Sequence, residues 1–312
     1  MESVCSSNSL LSRYDKKSVP FRSCQIARDL MHRRYNCLDI CNTVQDALEW
    51  ISRTGLCTIP IISTQAGDPQ DNRILHGTVT ADDLLFNTRT GGPCCSRPEL
   101  TLDQVVSSRM QIVKADTPLP IVVQKMLEYR VDVFFVSEGK KISGIVSCQD
   151  ILDDMIGMGM IGNALFTEDR PEFGFQQSIR SFIHSDLIRL PSGTTVKNAM
   201  TAMLESGLPC VSVIDDADSF CGLLSRQNFL DFFRKWNLSH ETTNKPSLSD
   251  ILSMPVDQLI QKSGPRINEN NTLLDTLQNM RFNTIPSMAV FSDSGDYLGF
   301  VSVCVLLSAY LA

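Results

Sequence analysis

Apolar positions along this chain follow two rhythms in turn, and the alternation is written four times. Each copy opens on a Thr followed by apolar residues at helical spacing, as in Val44, Ala47, Leu48 and Ile51 after Thr43, or Val196, Ala199, Met200 and Met203 after Thr195. A short, continuous apolar run comes next. Its centre lies 17 positions past the Thr in every copy: Thr43 to Pro60, Thr117 to Phe134, Thr195 to Ser212 and Thr272 to Ala289. A polar, Gly-bearing turn such as Glu138–Lys141 or Ser292–Gly295 returns the chain into a second run that ends Gly-x-x-[Ser/Thr]. Those endings are Gly77–Thr80, Gly144–Ser147, Gly222–Ser225 and Gly299–Ser302. From strand centre to Gly the distance is 10 in three copies and 17 in the first, which carries a polar insert.

Recurrence at fixed spacing means a supersecondary unit that buries its apolar face against neighbours. An apolar residue five positions before each Thr (Leu38, Ile112, Leu190, Ile267) predicts a short opening strand. The Thr is the expected N-cap of the first helix, with an acid three residues on in copies 1 and 4, near the capping-box pattern. The two apolar runs predict a buried hairpin. A second helix closes the unit: from Asp150 to Ile156, Asn228 to Phe233 and Val303 to Leu311 in the last three copies. The expected class is therefore α/β, with a β-α-β-β-α repeat.

That element order, a unit of about 60 residues and the ending Gly-h-h-[Ser/Thr]-x-x-Asp resemble the CBS domain, the sensory repeat named after cystathionine beta-synthase. The resemblance spans most of residues 26–312, and four such repeats with little else are similar to the gamma regulatory subunit of AMP-activated protein kinase. It implies pairing of copies 1 and 2 and of copies 3 and 4 into two modules (Bateman modules) forming a flat disc. The expected boundaries are a polar tail at 1–22, repeats at 23–88, 101–156, 179–235 and 247–312, and an inter-module linker at 157–178.

The resemblance also implies a ligand. In the family an adenosine ligand lies in the cleft between paired repeats, and the Asp three after the Ser/Thr accepts from the ribose hydroxyls; a carboxylate, with two acceptor oxygens, suits two vicinal donors. Residue by residue, copy 1 supplies Thr80 and Asp83, and copy 2 supplies Ser147 and Asp150. Copy 3 departs from the pattern with Ser225 and Asn228, whose amide accepts without charge. Copy 4 pairs Ser302 with Val305, which accepts nothing, so a ribose there would be poorly held. Arg226 is a candidate phosphate contact. The same Asp is also a plain helix-start residue, favourable to the helix dipole by about 0.3–1 kcal/mol without any ligand.

Composition narrows the function classes. A formal charge of -7 over 312 residues argues against a general affinity for nucleic acid or anionic membrane. Eleven Cys without a continuous apolar leader in residues 1–22 read as reduced thiols, implying a cytoplasmic or nuclear protein. The stretch Val301–Ala312 is shorter than the roughly 20 residues of a membrane span. Four scattered His, with Cys37-x-x-x-Cys41 and Cys94-Cys95 unmatched by a second half-site, give no metal site. Gly157-Met-Gly-Met-Ile-Gly162 formally matches a dinucleotide fingerprint, but it follows a helix where a phosphate loop must follow a strand. No catalytic constellation appears, and no cofactor is required. Two readings remain: a non-catalytic sensor of AMP, ADP or ATP that regulates a partner such as kinase catalytic and scaffold subunits, and a ligand-free CBS scaffold for protein interaction.

Overall fold

The computed structural model describes residues 25–33, 35–64, 73–87, 92–108, 110–139, 141–164, 174–184, 188–239, 246–260, 266–283 and 285–311. The expected tail at 1–22 lies outside them, as does most of the polar insert of copy 1.

A short helix α1 (Ala27–Leu30) precedes copy 1, which comprises β1 (Leu38–Asp39), α2 (Val44–Thr54), β2 (Thr58–Thr64), β3 (Arg73–Thr80) and α3 (Ala81–Phe86). Copy 2 follows as β4 (Ile112–Lys114), α4 (Leu119–Tyr129), β5 (Val133–Glu138), β6 (Lys141–Ser147) and α5 (Cys148–Ala164). Copy 3 is β7 (Arg189–Pro191), α6 (Val196–Ser206), β8 (Cys210–Ile214), β9 (Phe220–Ser225) and α7 (Arg226–Leu238). After α8 (Leu248–Ser253), copy 4 is β10 (Arg266–Asn268), α9 (Leu273–Asn283), β11 (Ser287–Phe291), β12 (Tyr297–Ser302) and α10 (Val303–Leu307). Every copy makes its own three-stranded sheet in chain order, the opening strand parallel to the second and the last two antiparallel. The α/β repeat expected from the spacing is thus present four times.

Each hairpin also carries the same irregularity. The Gly of Gly-x-x-[Ser/Thr] pairs with Ile61, Val136, Val213 or Val290, and the register shifts immediately after that residue in all four. In copies 1, 2 and 4 the reason for Gly at this position is a strap of backbone crossing the strand. A Cβ on Gly77 would sit 2.1 Å from the Ser107 carbonyl oxygen, one on Gly144 2.5 Å from that of His32, and one on Gly299 2.3 Å from that of His184. Contacts below 3 Å are inaccessible to a real Cβ, so only Gly lets the strap pass.

The straps are exchanged. Residues 25–33 lie on copy 2, where Leu119 N–H donates to the Gln25 carbonyl, Ala27 N–H to that of Thr117, and His32 pairs with Ile145 in both directions. Residues 100–107 lie on copy 1, with Leu100 accepting from Val44 N–H and Ser107 pairing with Thr78. In the same way 178–184 lies on copy 4, and 254–256 on copy 3. These bonds satisfy N–H groups at the first turn of α2, α4 and α6 that a helix leaves unpaired.

The backbone divides into two compact units. One draws its described residues from Met1–Tyr35, Gln111–Gln177 and Val303–Ala312, hence copy 2 with its strap and α10; there α10 packs against α4 and α5. The other draws on Asn36–Met110 and Ser178–Ser302. Its apolar core joins α2 and α3 of copy 1 to α6 and α7 of copy 3 through Leu48, Ile51, Leu84, Met203, Phe229 and Phe233.

Two expectations shift. The helix of copy 2 starts behind Pro118 rather than Thr117, because Pro118 is itself extended (ψ 138°) and takes the cap position. Its closing helix, expected to end at Ile156, runs to Ala164, so Gly157–Gly162 is helix interior and cannot open a phosphate loop. Among the described residues no helix is long and apolar enough to cross a membrane.

Candidate functional site

The junction where the last strand of a repeat meets its closing helix builds the same polar ring three times. In copy 1 Thr80 caps α3, and its hydroxyl accepts from Asp83 N–H at 3.1 Å. In return Asp83 Oδ2 accepts from the Thr80 N–H at 2.8 Å and from its hydroxyl at 2.7 Å. In copy 2 Asp150 Oδ2 accepts from Ser147 N–H and Oγ–H, both at 2.7 Å. In copy 3 the Asn228 oxygen takes the same two bonds from Ser225, again both at 2.7 Å. This is the capping box, in which two unpaired N–H groups at a helix start are satisfied reciprocally. The helix-start reading of these residues is therefore realised in every copy with a suitable side chain.

What separates the copies is the atom left over. Asp83 Oδ1 has no hydrogen-bond partner among the described residues, so copy 1 presents one anchored and one uncommitted carboxylate oxygen. Asp150 Oδ1 lies 2.9 Å from His32 Nε2, on a carboxylate 16% exposed. In copy 3 the donor N–H of Ser225 fixes which end of the Asn228 amide faces it. Two bonds fill that oxygen's lone pairs, leaving only the NH₂ group, a donor, to face outward. Asn228 thus offers a ribose hydroxyl a donor instead of the expected acceptor. In copy 4 Ser302 is buried and Val305 supplies no acceptor.

Arg226, the candidate phosphate contact, is already engaged. Its Nε lies 2.5 Å from Asp82 Oδ1, and its Nη1 donates to the Leu208 carbonyl at 2.5 Å. The Arg226 side chain is 15% exposed and that of Asp82 54%. The pair joins the junctions of copies 1 and 3, since Asp82 precedes Asp83 and Arg226 follows Ser225. A cavity of about 480 Å³ between α2 and α7 is lined by Trp50, Arg53 and Arg234 and includes none of the junction residues.

Residues 102–157 and 179–235 match the family model of the CBS domain. The chain carries CBS domains at these two positions. The two matches fall on copies 2 and 3; copies 1 and 4 share with these CBS domains the sheet order and the hairpin bulge. In fold, the chain is similar to a Methanocaldococcus jannaschii protein proposed as an archaeal homologue of g-AMPK. That similarity has a TM-score of 0.70 at 13% identity, over 91% of this chain and 99% of the other. It is also similar to an uncharacterised conserved protein from Pyrococcus horikoshii, with a TM-score of 0.56 at 16% identity over 92% and 100% of the two chains. No curated protein matches the sequence.

Sequence reasoning missed His32 and Asp82. Asp82 carries no signal beyond adjacency to Asp83. His32 does: Gln25-x-x-Arg28-x-x-x-His32 recurs as Gln177-x-x-Arg180-x-x-x-His184, marking the two equivalent straps.

Proposed function

We propose that this CBS-domain protein is a non-catalytic regulatory subunit that binds an adenine nucleotide (AMP, ADP or ATP) at its strand-to-helix junctions, with the ribose end held best by copy 1. The observation that carries this reading is Asp83: one oxygen is fixed by its own capping box, and the other stands ready to accept from a ribose hydroxyl. Ligand would act by binding one arrangement of the chain more tightly than another, so changing its contacts with a protein partner, for which a kinase catalytic subunit and its scaffold subunit are the first candidates. A net charge of -7 speaks against nucleic acid as that partner.

The test is a thermal-shift titration with AMP, ADP, ATP, S-adenosylmethionine and GMP. At about 100 times its dissociation constant a ligand adds roughly 2.7 kcal/mol to the folded state, or several degrees of melting temperature. A shift with adenylates but not GMP is expected. Asp83→Ala should weaken it about ten- to a hundredfold, the worth of a charge-assisted hydrogen bond. No shift at millimolar concentration would reject the sensor reading.

A second reading has its own support. Asn228 turns a donor outward, Val305 offers nothing, and Arg226 is held by Asp82, which is the state of junctions serving structure alone. On that reading the CBS repeats are a ligand-free scaffold for protein interaction, and the partner co-purifies unchanged with or without nucleotide.

A further inference from the structure

The straps over copies 2 and 4 are copies of each other. His32 pairs through its backbone with Ile145, the residue after Gly144, and His184 pairs with Phe300, the residue after Gly299. The two imidazoles therefore start from the same place but meet different chemistry. Copy 4 has Val305 where copy 2 has Asp150, and the His184 ring stacks on Phe300 with centroids 5.0 Å apart. In copy 2 the ring turns its Nε2 onto Asp150 Oδ1 at 2.9 Å. A carboxylate only accepts, so this Nε2 carries the proton. The corresponding strap residue over copy 1 is Ser107, paired with Thr78, and Asp83 Oδ1 stays uncommitted.

We propose that His32 is a built-in competitor for the copy 2 site: it occupies the carboxylate oxygen that a ribose hydroxyl would use, so copy 1 fills first and copy 2 fills only with the imidazole displaced. This rests on the reading of the junctions as ribose sites and adds the order in which two of them are used. Displacement is feasible, because the His32 side chain is 63% exposed while its strap is held through the main chain, leaving the ring to rotate away without unseating the backbone.

The experiment is calorimetric titration of the full chain with AMP, in an Asp83→Ala background that removes the copy 1 contact. His32→Ala and His32→Phe, neither of which donates, should each tighten the remaining binding about tenfold. His32→Gln, whose amide N–H still reaches a carboxylate, should keep the weak affinity of the parent. Melting temperatures of the ligand-free variants check that the strap stays in place. Equal affinity in all four proteins, or weaker binding in His32→Ala, would overturn the competitor role while leaving the nucleotide reading intact. Binding that appears only once His32 is replaced would support it strongly. Absence of binding in wild type and in every variant would reject both ideas, the nucleotide reading first.

Discussion

A side chain three residues past a strand end can serve a helix, a ligand or both, and the oxygens of Asp83, Asp150 and Asn228 distinguish these uses. The capping box takes one oxygen in each copy; function depends on the second. The position of these residues was legible in the sequence because the box is local, spanning three positions, and its spacing survives in any context. The occupancy of the second atom was not legible, since His32 reaches Asp150 from 118 positions away. Cysteines offer a separate check at this scale. Burial pushes the Cys210 thiol up to about 12 and raises Cys95 well above its ordinary value, whereas Cys41 and Cys304 are exposed. A raised thiol value means less thiolate: at pH 8 a group at about 12 is ionised in only about one molecule in 10,000. Iodoacetamide at that pH should therefore label exposed Cys304 first, Cys41 more slowly because the neighbouring Asp39 carboxylate raises its thiol, and Cys210 and Cys95 only once urea is added, as read by peptide mass spectrometry. Early labelling of Cys210 would contradict its burial.

At the scale of elements, the strand Gly residues and the straps explain each other. An added methyl at position 144 would overlap the His32 carbonyl and the Met31 side chain, each 2.5 Å away. Gly144→Ala should cost about 1–3 kcal/mol, the range for overpacking a tight site, visible as a lower urea midpoint with an unchanged slope. Gly157→Ala is the contrasting variant: nothing lies within 4 Å of its added Cβ inside α5, and exchanging Gly for Ala in a helix stabilises by roughly 0.5–1 kcal/mol. Opposite signs are the expected outcome, and equal effects would remove the strap as the reason for Gly144. The hairpins and first helices were legible from periodicity alone. The overrun of α5 was not, because Gly157, Gly159 and Gly162 each cost about 1 kcal/mol of helix propensity and so read as a stop, whereas the helix continues through them to Ala164.

At the scale of the whole molecule, the exchange of straps makes each copy depend on another stretch of chain. Copy 2 receives its strap from 25–33, so deleting residues 1–33 should expose the amides of Leu119 and Ile145, which lose their acceptors at Gln25 and His32. Hydrogen exchange by mass spectrometry should show fast exchange there, while Thr78, bonded to the Ser107 carbonyl, keeps its protection. Protection retained at Ile145 would mean that copy 2 holds its sheet unaided. No periodicity could reveal this exchange, since a strap of nine residues or fewer looks the same in sequence whichever copy it covers. The four-fold repeat was plain in the chain; which segment covers which was not.

The exchange is also nested, and nesting imposes a timetable on synthesis. Copy 1 and the strap that covers it run without interruption from residue 36 to residue 108, entirely enclosed between strap 25–33 and the body of copy 2; copy 3 is enclosed in the same way between strap 178–184 and copy 4. On the ribosome each inner copy can pair its sheet and strap as soon as it emerges, although copy 1 shares its apolar core with copy 3 and completes it only later. The segment around His32 must instead wait for Ile145, on the order of ten seconds at ordinary elongation rates. During that interval it has no seat, and the first structure to form in each half of the chain is the one that was begun second.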